Sequence, residues 1–124
     1  MLKLCANIGL IIALLVAASN AVAGGDAERG QSLYQSRCAA CHSIEYNGVG
    51  PAHKNVYGRK AGSGPDYAYS EALKRSTVVW NEKTLGIWLA SPEKLIPGQK
   101  MGFSVPNAKD RADLIAYLKK ASGS

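Results

Sequence analysis

The sequence predicts an all-α domain of about four short helices joined by long loops. Three observations carry that prediction. Apolar residues recur at three- and four-residue spacing in four short stretches, and no stretch alternates apolar and polar residues as a half-buried strand would. The stretches between them are dense in Gly and Pro, which break regular structure. Finally, of 124 residues, the first 23 hold 18 apolar ones, leaving 101 residues of which 40 are apolar. So few apolar residues on short helices bury too little surface to offset ordering entropy of about 1 to 2 kcal/mol per residue, so something large and apolar is expected in the middle.

In chain order, the first element is a leader. Lys3 gives a positive start, Ile8 to Ala18 an apolar run of eleven, and Ala21-Val22-Ala23 an A-x-A cleavage pattern before Gly24. This is the pattern of a cleavable secretory signal over residues 1–23, with one domain over residues 24–124. The run falls short of the roughly 20 residues of a bilayer span, and an uncleaved N-terminal anchor is the alternative. Cys5 precedes the run and leaves with the signal. An exported chain enters an oxidising compartment, where two nearby cysteines normally form a disulfide.

Asp26 caps a first helix carrying Ala27, Gly30, Leu33, Tyr34, Cys38 and Cys41 on one face, expected to end near His42. Ser43 to Pro65 is a long loop rich in Gly and Pro, which needs an anchor. Ser70 caps a short helix through Leu73. Asn81 caps a third, through Leu85, Trp88 and Leu89, that stops before Pro92. Leu95 to Val105 reads as irregular. A last helix opens near Asn107 or Ala108, with Leu114, Ile115, Tyr117 and Leu118 inward, Asp110 and Asp113 early, and Lys119 and Lys120 late, matching the helix dipole.

The chain has 15 Lys and Arg against 9 Asp and Glu. Without Lys3 the domain keeps an excess of +5, a modest balance that suits an acidic protein partner. No helix bears a one-sided Arg/Lys stripe, so no nucleic-acid partner is expected.

The chemistry concentrates at Cys38-Ala39-Ala40-Cys41-His42, a C-x-x-C-H pattern that fits covalent attachment of a c-type haem. Two thiols at this spacing reach the two vinyl groups of one porphyrin, and the adjacent imidazole falls under the iron. Three other readings compete. A zinc site wants four ligands, and after Cys5 is removed only His53 is spare. A thioredoxin-like dithiol wants a strand feeding the motif, whereas a helix feeds this one. The third is a plain disulfide.

From Gly25 to about Ala121 the chain resembles the class I cytochromes c, in ordered motifs. After Cys38 to His42 come Gly50-Pro51, Tyr57-Gly58-Arg59-Lys60, Tyr69, Trp80, Ile96 to Phe103 (IPGQKMGF) and Asp113 to Leu118 (DLIAYL). The resemblance implies a cytochrome c fold around one haem c, covalent through Cys38 and Cys41, with the N- and C-terminal helices crossing at Gly30, Tyr34, Leu114 and Tyr117. It implies His42 as proximal and Met101 as distal ligand. A His/Met pair raises the reduction potential and fills both axial sites, so the domain is expected to pass electrons and not to act as an enzyme. A peroxidase would need Met101 to leave the iron. The resemblance also implies that the Pro51 carbonyl accepts from His42, and that Arg59, Tyr69 and Trp80 hydrogen-bond a haem propionate.

The chain departs from the family at three positions. His53 stands where a Leu commonly faces the haem, and is read as a polar residue at the pocket's edge. Trp88 stands in place of a Tyr that bonds the Met sulfur, and Gln99 in place of a Thr near the inner propionate. Arg37, Lys60, Lys94, Lys100 and Lys109 are expected around the exposed haem edge, interrupted by Glu93 and Asp110. The function implied is a soluble monomeric carrier of single electrons, docking transiently on membrane redox complexes such as a quinol-oxidising complex and a terminal oxidase, in a respiratory or photosynthetic chain. The alternative is a cytochrome subunit, or an anchored module, bound to one dehydrogenase or oxidase.

Overall fold

Asp26 accepts hydrogen bonds from the Glu28 and Arg29 amides and starts α1, Ala27–Arg37. In this computed structural model, which describes residues 24–123, four further helices follow: α2 Glu71–Arg75, α3 Glu82–Ala90, α4 Pro92–Leu95 and α5 Ala108–Ala121. The leader expected over residues 1–23, with Cys5, lies outside the described residues. The only β feature among them is an isolated bridge between Lys60 and Val79.

Helix α1 ends before the expected His42. The Cys38 carbonyl accepts from both the Cys41 amide (3.1 Å) and the His42 amide (2.9 Å), closing a tight turn that holds Cys38 to His42 at the helix end. Ser70 and Asn81 are the N-caps expected and Asn107 caps α5, with Asn81 and Thr84 forming a reciprocal capping box. Helix α4 is an addition to the four expected. Pro92 stops α3 and also opens α4 at its first turn, where a residue without an N–H loses no bond.

The terminal helices α1 and α5 cross at Gly30. A side chain there would place its Cβ 2.6 Å from the Asp113 carbonyl carbon and 2.9 Å from Tyr117 Cβ, so the approach requires glycine. Asp113, 1 % exposed, accepts from the Asp26 amide (2.7 Å), Lys109 (3.0 Å) and Arg29. Asp110, also buried, pairs with Arg29 (2.6 Å) and Arg37 (3.0 Å). The spacing that puts Leu114 and Tyr117 inward also carries these two acids to the crossing. They are therefore buried counter-ions as well as dipole partners.

Tyr34, Leu73, Trp80, Leu85, Leu89, Ile96, Val105, Leu114, Ile115 and Leu118 form the core with Val56 and Ala61. The long loop is fastened by backbone bonds to the segment before α3: Gly58 N–H to Trp80 O (2.7 Å), Trp80 N–H to Arg59 O (2.9 Å) and Ala61 N–H to Val78 O (2.8 Å). Arg111 donates to the carbonyls of Val105 (2.8 Å) and Pro106 (2.7 Å), tying the segment before α5 to that helix.

Candidate functional site

The turn after α1 delivers His42 half-buried, with its Nδ1–H donating to the Pro51 carbonyl at 2.9 Å. A carbonyl only accepts, so the proton sits on Nδ1 and the Nε2 lone pair is free. Burial lowers the His42 pKa, against the Pro51 bond, and keeps the ring neutral. Gly50 makes room for it: a Cβ at Gly50 would lie 2.6 Å from Nδ1 and 2.7 Å from Nε2.

His53 is half-buried against His42. Its ring stacks on His42 with centroids 4.1 Å apart and planes inclined by 22°, and its Nδ1 shares a 2.8 Å hydrogen bond with the Tyr34 hydroxyl. Burial, with the nearby His42 and Arg59, pushes the His53 pKa down to about 3, so it stays neutral as well. The phenol of α1 holds it inward, which the replacement of a Leu by a polar residue does not suggest.

Cys38 is half-buried and Cys41 exposed, both as free thiols. Burial, opposed by Arg37, pushes the Cys38 thiol up to about 11. A thiol of a dithiol oxidoreductase is shifted the other way. No group of three or more His, Cys, Asp and Glu suited to a metal ion occurs among the described residues.

Arg59 donates from Nη1 to the Lys54 carbonyl (3.0 Å), while its buried Nε has no partner. The Tyr69 hydroxyl accepts from the Gly64 amide (3.1 Å), and a Cβ at Gly64 would meet both that hydroxyl and Arg59 Nη2. Arg59 and Tyr69 thus converge on one spot. A cavity of about 320 Å³, lined by Arg59, Asn47, Lys54 and Gly64, opens beside it. Trp80 joins them through its backbone bonds to Arg59 and Gly58, and its ring packs on Trp88 at 5.2 Å. Asn47, which sequence reasoning missed, ties this loop together: its amide bonds the Pro65 (3.2 Å) and Asp66 (3.0 Å) carbonyls and the Ala52 amide (2.8 Å). Nothing in its sequence context marks it.

Met101 belongs to another group of residues. It lines a cleft of about 260 Å³ with Ala90, Pro92, Gln99 and Phe103, and its amide donates to Gln99 Oε1 at 2.6 Å. The Pro97-Gly98 turn beneath it is closed by Gln99 N–H to Ile96 O (3.2 Å), with Gly98 at φ +86°, where a side chain would be strained.

All five cations expected at the docking edge are exposed. Arg37 also pairs with Asp110 and Lys109 with Asp113, while Lys60, Lys94 and Lys100 stand exposed beside them. Asp110 does not interrupt a surface, because it is buried under Arg29 and Arg37.

These donors suit a haem: two free thiols, a neutral imidazole with a free Nε2, a thioether, and a guanidinium whose buried Nε lacks an acceptor such as a carboxylate. The comparisons agree with the geometry. The family model described as Cytochrome c matches residues 27–122. The chain belongs to the cytochrome c family. It is 47% identical over 105 residues to a cytochrome c of Gibberella zeae, covering 82% of this chain and 99% of that one. It is 41% identical over 121 residues to a cytochrome c2 of Rhodomicrobium vannielii, covering 94% of this chain and 96% of that one. The solved structure of cytochrome cH from Methylobacterium extorquens superposes with a TM-score of 0.74 at 48% identity, over 77% of this chain and 99% of that one. As a cytochrome c, the chain has the fold expected and binds c-type haem covalently through cysteine, with Cys38 and Cys41 side by side in the turn. It is a haem-based electron carrier with redox partners. No helix among the described residues is long and apolar enough to cross a membrane.

Proposed function

We propose that this cytochrome c is an exported, monomeric carrier of single electrons in the bacterial periplasm, with His42 and Met101 as axial ligands, and that residues 1–23 are removed on export. The observation that carries the reading is the bond from His42 Nδ1–H to Pro51 (2.9 Å), which fixes the tautomer and points the chemistry of the ring to Nε2. When bound, the haem supplies a one-electron iron couple, and the chain supplies its surroundings. Cys38 and Cys41 hold the porphyrin covalently. Arg59, Tyr69 and Trp80 meet a propionate, a charge costly to bury without donors and a cation. Were His42 and Met101 both to hold the iron, no open position would remain for bond chemistry, and the domain would transfer electrons alone. Arg37, Lys60, Lys94, Lys100 and Lys109 make a docking surface for acidic faces of membrane complexes, such as a quinol-oxidising complex and a terminal oxidase, in encounters that weaken with salt.

The test is an absorption spectrum of the periplasmic protein, ferric and dithionite-reduced, with its intact mass. The expected result is a c-type haem spectrum with the thioether-to-ferric-iron band, and a mass equal to residues 24–124 plus one haem. Haem without that band refutes Met101 ligation, and a retained leader refutes export by cleavage.

A further inference from the structure

We propose that Glu93 is a positioning residue for Met101, acting through Gln99 and the Gly98 amide. The proposal rests on the reading of Met101 as an iron ligand. The segment from Ile96 to Met101 lies in no helix, and its Gly98 and Met101 amides are satisfied by side chains instead of backbone carbonyls. Glu93, on α4, accepts from the Gly98 amide through Oε1 (2.9 Å) and from Gln99 Nε2 through Oε2 (3.2 Å). The other end of the Gln99 amide, Oε1, accepts from the Met101 N–H at 2.6 Å.

One carboxylate therefore clamps the turn at its glycine and, through one amide group, the backbone of the methionine. The polarity of the relay is forced. Nε2 can only donate and must face the carboxylate, so Oε1 faces the Met101 amide, and the side chain cannot flip without losing both bonds. A threonine at position 99 has neither the length nor the second polar atom for this. Helix α4 supplies the fixed end, since Pro92 is buried and Ile96 N–H bonds back to Pro92 O (3.0 Å). Glu93 thus serves the loop that presents the thioether, and the resting position of that loop determines how readily Met101 yields the iron to another ligand.

The experiment is an imidazole titration of the ferric holoprotein, following loss of the thioether-to-iron band, in wild type, Glu93→Ala, Glu93→Gln, Gln99→Ala and the Glu93→Ala/Gln99→Ala double variant. Glu28→Gln, an exposed acid on α1, serves as the control. Denaturant midpoints from far-ultraviolet circular dichroism accompany each. The expected result is an apparent imidazole affinity raised about tenfold by Glu93→Ala, the scale of one charge-assisted hydrogen bond. Glu93→Gln keeps an acceptor for the Gly98 amide and falls between that variant and wild type, the double variant gains less than the product of the two single effects, and Glu28→Gln is unchanged. Imidazole affinity in Glu93→Ala equal to wild type overturns the proposal, as does a change fully matched by the shift in global stability. A wild-type protein with no such band removes Met101 ligation itself, and the proposal with it.

Discussion

A single methyl group at Gly30 tests how closely the terminal helices are set. In Gly30→Ala the new Cβ would stand 2.6 Å from the Asp113 carbonyl carbon and 2.9 Å from Tyr117 Cβ. Carbon atoms rest about 3.5 to 4.0 Å apart, so α1 and α5 must separate by about 1 Å. That movement stretches the bonds from Asp26 N–H to Asp113 (2.7 Å) and from Arg29 to Asp110 (2.6 Å) beyond good geometry, which ends at about 3.2 Å. Overpacking costs about 1 to 3 kcal/mol, and weakened bonds to a buried carboxylate about 1.5 to 3 kcal/mol more, against about 0.5 to 1 kcal/mol gained from the better helix former. The net cost is about 3 kcal/mol, and at about 4 to 8 °C per kcal/mol for a domain of this size the melting temperature falls by about 12 to 24 °C. Circular dichroism of the purified haem protein reads it. Gly86→Ala is the matched control, since a Cβ on that α3 residue meets nothing within 4 Å, and it should melt slightly higher than wild type. A Gly30→Ala protein melting within about 3 °C of wild type would refute the reasoning.

Gly50→Ala should disturb His42 instead of the overall fold, because its Cβ would overlap the imidazole, and the ferric and ferrous spectra should change at nearly unaltered helix content. Asp113→Asn removes a buried carboxylate bound by Asp26 N–H, Arg29 and Lys109 and should cost about 2 to 3 kcal/mol in urea unfolding at pH 7. Burial raises the Asp113 pKa, but those three partners outweigh it and hold the group at about 2, below its ordinary 3.8. Its stabilisation is therefore full above pH 3.8 and lost as pH falls through 3.8 toward 2, a component of acid destabilisation that Asp113→Asn should lack. Arg59→Leu withdraws a positive charge from the proposed propionate site. The reduction potential measured by redox titration should fall by about 40 mV, equivalent to about 1 kcal/mol for one electron.

Much of the site is legible in the amino-acid sequence because its signals are local. C-x-x-C-H needs only consecutive residues, Asp26, Ser70, Asn81 and Asn107 cap helices through amides two or three residues ahead, and the i, i+3, i+4 pattern of α5 names its buried face. The expectations that the fold corrects concern pairs distant in sequence. Asp110 and Asp113 look like ordinary acids early in a helix until α1 brings Arg29 and Arg37 to them, 73 to 84 positions away. Two of the five cations expected at the docking edge, Arg37 and Lys109, also pair with these buried acids. The partners of His53 also lie away from it in sequence: Tyr34, 19 positions earlier, bonds it, and its ring stacks on His42.

The sequence by itself therefore determined the all-α class, the haem-attachment turn and the helix starts, because each rests on short-range backbone geometry, while its resemblance to a family named His42 and Met101 as candidate ligands. Only the tertiary structure decided how closely the helices meet at Gly30, that Asp113 is a buried charge, that His53 stacks on His42, and that Glu93 reaches Met101 through Gln99. Close packing and low-dielectric pairing depend on which surfaces meet, and no local pattern encodes the partner's position.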